Sequence, residues 1–291
     1  MFKSMSKNQK RGLILLLSVI VFSLWYYLPP FTEKLFYKQQ PAFANLANIT
    51  EIDFKLEDYQ QKAVLKDGQW QIQINNELYP AETSRINEVV EYLKKLEIKN
   101  IASNNADKNK ESFQLNKEIT LKDSNNKSYT IYIGKISQTG DLYVRIKGQN
   151  TIFIAENLNG LLLPSDFRDL NVHLVNENDE PSEIKVKGSN SFVLKKDKDN
   201  WIINGKPADK TKVDNFIFDL KNLRAEDIIK KQERNNPILT LIIKAGNQES
   251  QFYVYKDQDE FFINNKDYDY KLSSNQVELL NKPAEEFLKQ N

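Results

Sequence analysis

The stretch WIINGKPADKTKVDNFIFDLKNL, residues 201–223, decides the fold, because a degraded copy stands one domain length earlier as WQIQINNELYPAETSRINEVVEYLKKL, residues 70–96. Setting Pro80-Ala81-Glu82 over Pro207-Ala208-Asp209 brings Ile86, Val89, Val90, Leu93 and Leu96 onto Val213, Phe216, Ile217, Leu220 and Leu223. The spacing i, i+3, i+4, i+7, i+10 is one face of an amphipathic helix. Just ahead of each face stand side chains able to accept from the first unpaired helix N–H groups: Asp209 in the second copy, Thr83 or Ser84 in the first. Trp70 and Trp201 each end a hairpin before the helix and are expected as core anchors between sheet and helix. The competing reading is an exposed platform that stacks on sugars or aromatic ligands.

Working outward, short alternating runs surround each copy. Ile52–Leu56, Ala63–Lys66 and Trp70–Ile74 precede the first helix, with a turn at Asp67-Gly68. Asn100–Ser112 is polar and Asn-rich and reads as a loop. Strands follow at 119–122, 129–133, 142–146 and 151–155. The second half repeats the order, with strands at 183–187, 192–195 and 201–203 before the helix and 238–243, 252–255, 260–263 and 268–272 after it. Leu161-Leu162 matches Leu279-Leu280 in the closing helices. The acidic stretch NENDEP, residues 176–181, reads as a junction, which sets the first lobe at 49–176 and the second at 177–291. Two copies of this length imply an α+β fold of two tandem duplicated lobes, each an antiparallel meander packing an amphipathic helix, and exclude a solenoid of many short repeats.

At the N-terminus, Gly12–Leu28 is an uncharged apolar run of 17 residues. At about 1.5 Å per residue a helix of that length is near the lower limit for crossing a bilayer. Lys3, Lys7, Lys10 and Arg11 precede it without an acid, and Trp25, Tyr26 and Tyr27 close it at headgroup depth. The expectation is a cytoplasmic basic tail (1–11), a single transmembrane helix (12–28), a juxtamembrane linker (29–48) begun by Pro29-Pro30, and an extracytoplasmic body. A cleaved signal peptide is the competitor, since Ala42-Phe43-Ala44 resembles a cleavage site, but it lies far beyond the apolar run. Taking the four leading cations from the 41 Lys and Arg leaves 37 against 40 acidic residues, so the body offers no global attraction to nucleic acid. The chain has no cysteine, which removes disulfides, thiolate metal sites and a thiol nucleophile.

The order of several short motifs resembles the domain of unknown function 4340 family of bacterial envelope proteins, which stand beside gliding-motility-type ABC transporters. The motifs are Trp201-Ile202-Ile203 with Pro207-Ala208-Asp209 and the helix that follows, Phe113-Gln114-Leu115, Tyr132-Ile133-Gly134, Leu142-Tyr143-Val144-Arg145 and Phe167-Arg168-Asp169. This chain departs from the pattern at Gln114, where the family usually has glycine, and its second lobe lacks a counterpart of Gly134. The resemblance covers most of 49–280 and implies an inner-membrane accessory component; it carries no catalytic residues.

Chemistry is sparse. His173 is the one histidine, in an apolar alternation beside the junction, and reads as structural or solvated rather than as the base of a nucleophilic triad. Asp257-x-Asp259-Glu260 has Phe262 and Tyr268 where a calcium loop needs glycine and glutamate, so it reads as a hairpin turn, as does Asp197-Lys198-Asp199. Phosphate-cradling glycine motifs are absent. Arg145, Arg168, Asp166 and Asp169 are candidates for an inter-lobe or partner-facing ion-pair set.

These readings imply no catalytic, cofactor or metal residues and a non-enzymatic role. The expected partners are a polytopic membrane permease and its cytoplasmic ATPase, an ABC-2 type exporter. A periplasmic peptide- or glycan-binding module is the alternative, and a hydrolase using two carboxylates in a cleft the third reading.

Overall fold

The computed structural model describes residues 46–56, 59–156 and 166–289, together with Ser18, Ser23 and Phe43. Its helices are α1 (Thr83–Lys95), a single turn α2 (Ala106–Asn109), α3 (Lys210–Lys221) and α4 (Ser274–Leu280). The repeated apolar face is the buried one: Ile86, Val89, Val90 and Leu93 in α1, Val213, Phe216, Ile217 and Leu220 in α3. Leu96 and Leu223, one step beyond each helix, are buried too. Asp209 is the N-cap of α3, its side chain accepting from the Lys212 N–H at 3.2 Å. In the first copy the cap position falls on Glu82 instead of Thr83 or Ser84; its carboxylate makes no cap bond and pairs with Arg85 at 2.7 Å.

Two nine-stranded antiparallel sheets carry these helices. The first contains β1 (Ile49–Leu56), β2 (Tyr59–Lys66), β3 (Gln69–Ile74), β4 (Glu77–Pro80), β5 (Ile98–Ser103), β6 (Lys117–Asp123), β7 (Ser128–Ile136), β8 (Leu142–Ile146) and β9 (Ile152–Ala155), in the order β4-β3-β2-β1-β6-β7-β8-β9-β5. The second contains β10 (Pro181–Lys187), β11 (Phe192–Asp197), β12 (Asn200–Ile203), β13 (Lys206–Pro207), β14 (Asp227–Lys230), β15 (Leu239–Ala245), β16 (Gln248–Asp257), β17 (Glu260–Asn265) and β18 (Tyr268–Leu272), in the order β13-β12-β11-β10-β15-β16-β17-β18-β14. Numbered within each repeat, the two orders are identical. A four-strand meander, a helix that carries the chain to the opposite edge, an edge strand, and a second meander that fills the gap occur twice.

Each meander strand expected from alternation forms, and the turns at Asp197-Lys198-Asp199 and Asp257–Glu260 are hairpin turns with Lys198 and Gln258 at positive φ. Four strands were not legible. β4 and β13 are too short to alternate. β14 has four residues and one fully buried side chain. β5 occupies the first part of the stretch read as a loop; it is an edge strand whose pairing with β9 shifts register twice, which blurs its period. The helical turn α2 lies in the same stretch, started by the Asn105 side chain accepting from the Lys108 N–H.

The two compact units meet at Phe167 and Arg168, earlier than the 176/177 junction read from NENDEP. The reason is backbone pairing: the Val172 N–H donates to the Leu223 carbonyl at 2.9 Å and the Ala225 N–H to the Leu170 carbonyl at 2.8 Å, so residues 168–175 belong to the second unit. The first unit likewise begins before residue 49, because Phe43 and Leu46, placed in the linker by sequence, are buried in its core. Of the expected transmembrane span, Ser18 and Ser23 are helical and exposed. The rest of 12–28, the basic tail, most of the linker and Leu161-Leu162 lie outside the described residues. Among the described residues no helix is long and apolar enough to cross a membrane.

Each unit closes with a phenylalanine the alternation did not single out. Phe167 accepts the Glu82 N–H at 2.9 Å and Phe287 accepts the Asp209 N–H at 2.8 Å, so the same helix start is tied twice by the same carbonyl. The Phe167 ring stacks on Phe54 at 4.1 Å; the Phe287 ring packs against Phe192 and Phe216 at 5.1 and 5.2 Å. Buried Gln61 on β2 holds the first closure with both ends of its amide, donating to Asp166 at 2.8 Å and accepting from the Phe167 N–H at 2.9 Å.

Trp70 and Trp201 are 7% and 3% exposed, which places both in the cores and removes the stacking platform. The Trp70 indole N–H donates to Asn87 on α1 at 3.2 Å. Trp201→Ala should therefore cost about 3–5 kcal/mol, and Phe167→Ala a similar amount, read as a fall in the denaturant midpoint; an unchanged midpoint would place the ring outside the core. Gln114 sits at φ +52°, a left-handed conformation that glycine adopts without strain. Gln114→Gly should raise stability by about 0.5–1 kcal/mol, and a lower melting temperature would contradict that.

Candidate functional site

In the second unit, residues 168–179 run beside the core-facing side of the sheet and position the one histidine. Arg168 donates to the Ile228 carbonyl at 3.0 Å and pairs with Asp227 at 2.8 Å, both on β14. Asp169 accepts from the Asn171 N–H at 3.0 Å and, through its other oxygen, contacts His173 Nε2 at 2.7 Å. His173 is at φ +53°, which turns the chain so that Leu174 and Val175 enter the core. The Asn265 amide donates to the Val172 carbonyl at 2.6 Å, fastening the segment to the end of β17.

Between this segment and the tips of β15, β16 and β17 lies a cavity of about 440 Å³. Leu174, Val175, Ile243 and Phe252 give it an apolar floor; His173, Asn176, Gln248, Ser250, Asn265 and Lys266 give it polar walls. Asp179 is the carboxylate among the lining residues, and it accepts from Asn176 at 2.6 Å. A cavity of this size and mixed lining is within the usual range for small-ligand or side-chain pockets.

The four residues read as inter-lobe or partner contacts have partners in their own units. Arg145 on β8 pairs with Asp107 of α2 at 2.9 Å, donates to the Gln149 carbonyl at 2.9 Å and stands over the Tyr132 ring. Arg168 and Asp169 are engaged within the second unit as described above. Asp166 is held by Gln61 in the first. The structural signature residues, Trp70, Leu93, Leu96, Trp201, Phe216, Leu220 and Leu223, line the two cores, and Asp209 caps α3. Among the described residues, no three His, Asp or Glu side chains stand close enough to hold a metal ion.

Sequence reading missed a buried ion pair. On the sheet face turned away from α3, Arg234 pairs with Asp269, and their side chains are 9% and 1% exposed. The Asp269 carboxylate also accepts from the Gln232 N–H at 3.0 Å, the guanidinium lies 4.1 Å from the Phe262 ring centre, and Arg234 Nε is buried without a partner. An acid at an alternate position of the aromatic strand YDYKL was the available signal. Removing one partner leaves a buried charge, so Asp269→Ala should cost about 3–5 kcal/mol, while Arg234→Met with Asp269→Leu should recover at least half of it in denaturant unfolding.

Burial opposes the Asp169 charge, yet the hydrogen bonds from His173 and the Asn171 N–H hold its carboxyl below the usual value of 3.8. The hydrogen bond to Asp169 raises the His173 pKa above 6.5, against partial burial. A histidine raised in the folded state adds stability that is complete below pH 6.5 and is lost as pH rises through its folded value. A lowered aspartate adds stability that is complete above pH 3.8 and is lost as pH falls through its folded value. The pair therefore contributes fully between these limits. His173 is half-exposed, so solvent holds the gain below about 1 kcal/mol. The stability difference between the parent chain and His173→Gln should be larger at pH 5.5 than at pH 8.5; an equal difference would mean the imidazolium is not what Asp169 binds.

A family model described as a domain of unknown function, DUF4340, matches residues 70–241, from within β3 of the first unit to within β15 of the second. No curated protein and no solved structure matches the chain. The match holds both signature helices, both core tryptophans, Gln114 and the junction at Phe167, and it spans more than half of the 291 residues. On that span the chain belongs to the DUF4340 family of domains of unknown function.

Proposed function

We propose that the chain is a membrane-anchored, extracytoplasmic accessory or scaffold subunit of a bacterial envelope complex, an ABC-2 type exporter of the gliding-motility kind, and that it works by docking and not by turnover. The observation that carries this reading is the use to which the polar side chains are put. Arg145, Arg168, Arg234 and Asp269 are each engaged in a local pair that orders a loop against its own sheet, and Asp169 and His173 pair with each other within 168–179. Such pairs set shape. The apolar run 12–28 with its leading cations supplies the anchor, and the duplicated sheets supply short edge strands, β4, β5, β13 and β14, for partners. A polytopic permease and its cytoplasmic ATPase are the partners this arrangement serves.

A second reading, a peptide- or glycan-binding module, is favoured by the cavity in the second unit. Two measurements separate the readings. Alkaline phosphatase fused after Asn291 should be active and green fluorescent protein dark; the reverse pattern removes the exported body. Full-length protein extracted in mild detergent should co-purify with a permease and its ATPase, and a fragment beginning at Ile49 should retain far less of both. Purification of the full chain alone would leave the binding module as the better account.

A further inference from the structure

β15 and β16 form a two-residue hairpin closed by Ala245 and Gln248, with Gly246 at φ +58°. β16 has ten residues, but β17 pairs with it only from Val254 to Asp257. Beyond that the Tyr253 N–H is met by the Asn264 side chain at 3.0 Å, and the chain turns away through Lys266, at φ +50°, into β18. Tyr253 therefore points its backbone toward β17, and by the two-residue period so do Gln251 and Glu249. Among the described residues no strand pairs with those two on that side. Residues 248–251 are all exposed. The counterpart in the first unit differs: past the last β7–β8 pair at Ile131 and Ile146, the Thr130 carbonyl still receives the Lys147 N–H at 3.0 Å.

The cavity lies against this open edge. Ser250 and Phe252 face it from β16, Asn265 and Lys266 from the β17 end, and Leu174 and Val175 form its floor. Unpaired strand backbone beside a side-chain pocket is the arrangement by which a sheet takes up an extended peptide: main-chain hydrogen bonds supply affinity, and every second side chain is read by the pocket. Lys266 adds positive charge, and the lone lining carboxylate, Asp179, is already hydrogen-bonded by Asn176.

We infer that the second unit binds an extended peptide segment of a partner protein as an added strand along Gln248–Phe252, with an apolar side chain in the cavity and an acidic side chain beside Lys266. A glycan would use the polar walls but has no main-chain N–H and C=O repeating at the strand spacing of Glu249 and Gln251, so peptide is the chemistry that fits both features. The inference deepens the binding reading and does not depend on the anchor or the exporter.

The test is selection of a displayed library of random octapeptides on the full-length chain in detergent micelles. Enriched sequences should alternate apolar and polar residues, include an acid, and bind with micromolar affinity. Methylating the backbone nitrogens that face β16 should weaken binding about tenfold or more, the loss expected when a hydrogen bond and its geometry go. Gln251→Pro should do the same: its ring replaces an N–H on the unpaired side, where proline is tolerated, so the hairpin survives. Ser250→Tyr, which fills the cavity, should also weaken it, and Lys266→Glu should disfavour the acidic peptides selectively. No enrichment, or enriched peptides indifferent to N-methylation and Gln251→Pro, overturns the inference. Binding of maltotetraose or chitotetraose that Ser250→Tyr blocks, with no peptide selected, also overturns it while leaving a binding cavity in place.

Discussion

Everything in each unit depends on a helix that must carry the chain from one edge of a nine-stranded sheet to the other. Strands about 4.8 Å apart would put the edges of a flat sheet roughly 38 Å apart, whereas α1, at about 1.5 Å per residue, is only about 20 Å long. Two residues join β4 to α1 and two join α1 to β5, and Leu96 spends part of that reach folding back to the Leu93 carbonyl. The sheet has to curl about its helix. Curling puts the small and branched residues of the central strands, Ala63, Ile72, Ile119 and Ile131, fully out of solvent around Ile86 and Leu93. At the start of each helix Phe167 and Phe287 tie the turn to the sheet with a carbonyl and a ring.

Much of this was legible because core positions repeat with a period. The faces of α1 and α3, the two tryptophans, the Asp209 cap and every meander strand except β4 and β13 followed from spacing alone, and the duplication followed from two spacings being the same. What was hidden lacks a period or acts at a distance. β13 has two residues; β5 is bulged; Glu82 stands at a cap without capping. Phe167 sits in a motif, FRD, whose charged residues drew attention, while the ring does the packing and Arg168 serves the other unit. The NENDEP stretch looks like a junction because it is acidic and ends in proline, yet backbone pairing to Leu223 and Leu170 moves the boundary ahead of it.

The candidate site was less legible than the fold, for a physical reason. His173 was read as structural or solvated and stands half-exposed against Asp169, which was assigned to an inter-lobe set, since i, i+4 pairing is expected on helices and this segment is not one. The cavity is made by β16 outrunning β17, a difference in strand length that alternation does not announce. Polar Gln248 and Ser250 at core-facing positions are the trace it leaves: they sit where Phe252 and Val254 continue the buried side of the same strand.

The two units are alike on the helix face and unlike on the other, and that asymmetry locates what the duplication left free. In the first unit, Ala106, Leu115 and Ile152 build a second small core with Phe113 and Tyr143, bordered by Arg145 over Tyr132 and paired with Asp107. Gly134 belongs to it: a Cβ there would stand 2.3 Å from the Phe113 carbonyl. The second unit has no such glycine and covers the same face with Arg234, Asp269 and Phe262. Both solutions set a guanidinium between an aromatic ring and a carboxylate, but the arginine comes from β8 in one and from the segment after β14 in the other. The helix face is bound by one geometric requirement and keeps one solution, whereas the outer face and strand tips answer to no shared requirement. Differences in what the two units bind therefore belong on those surfaces and not in the cores.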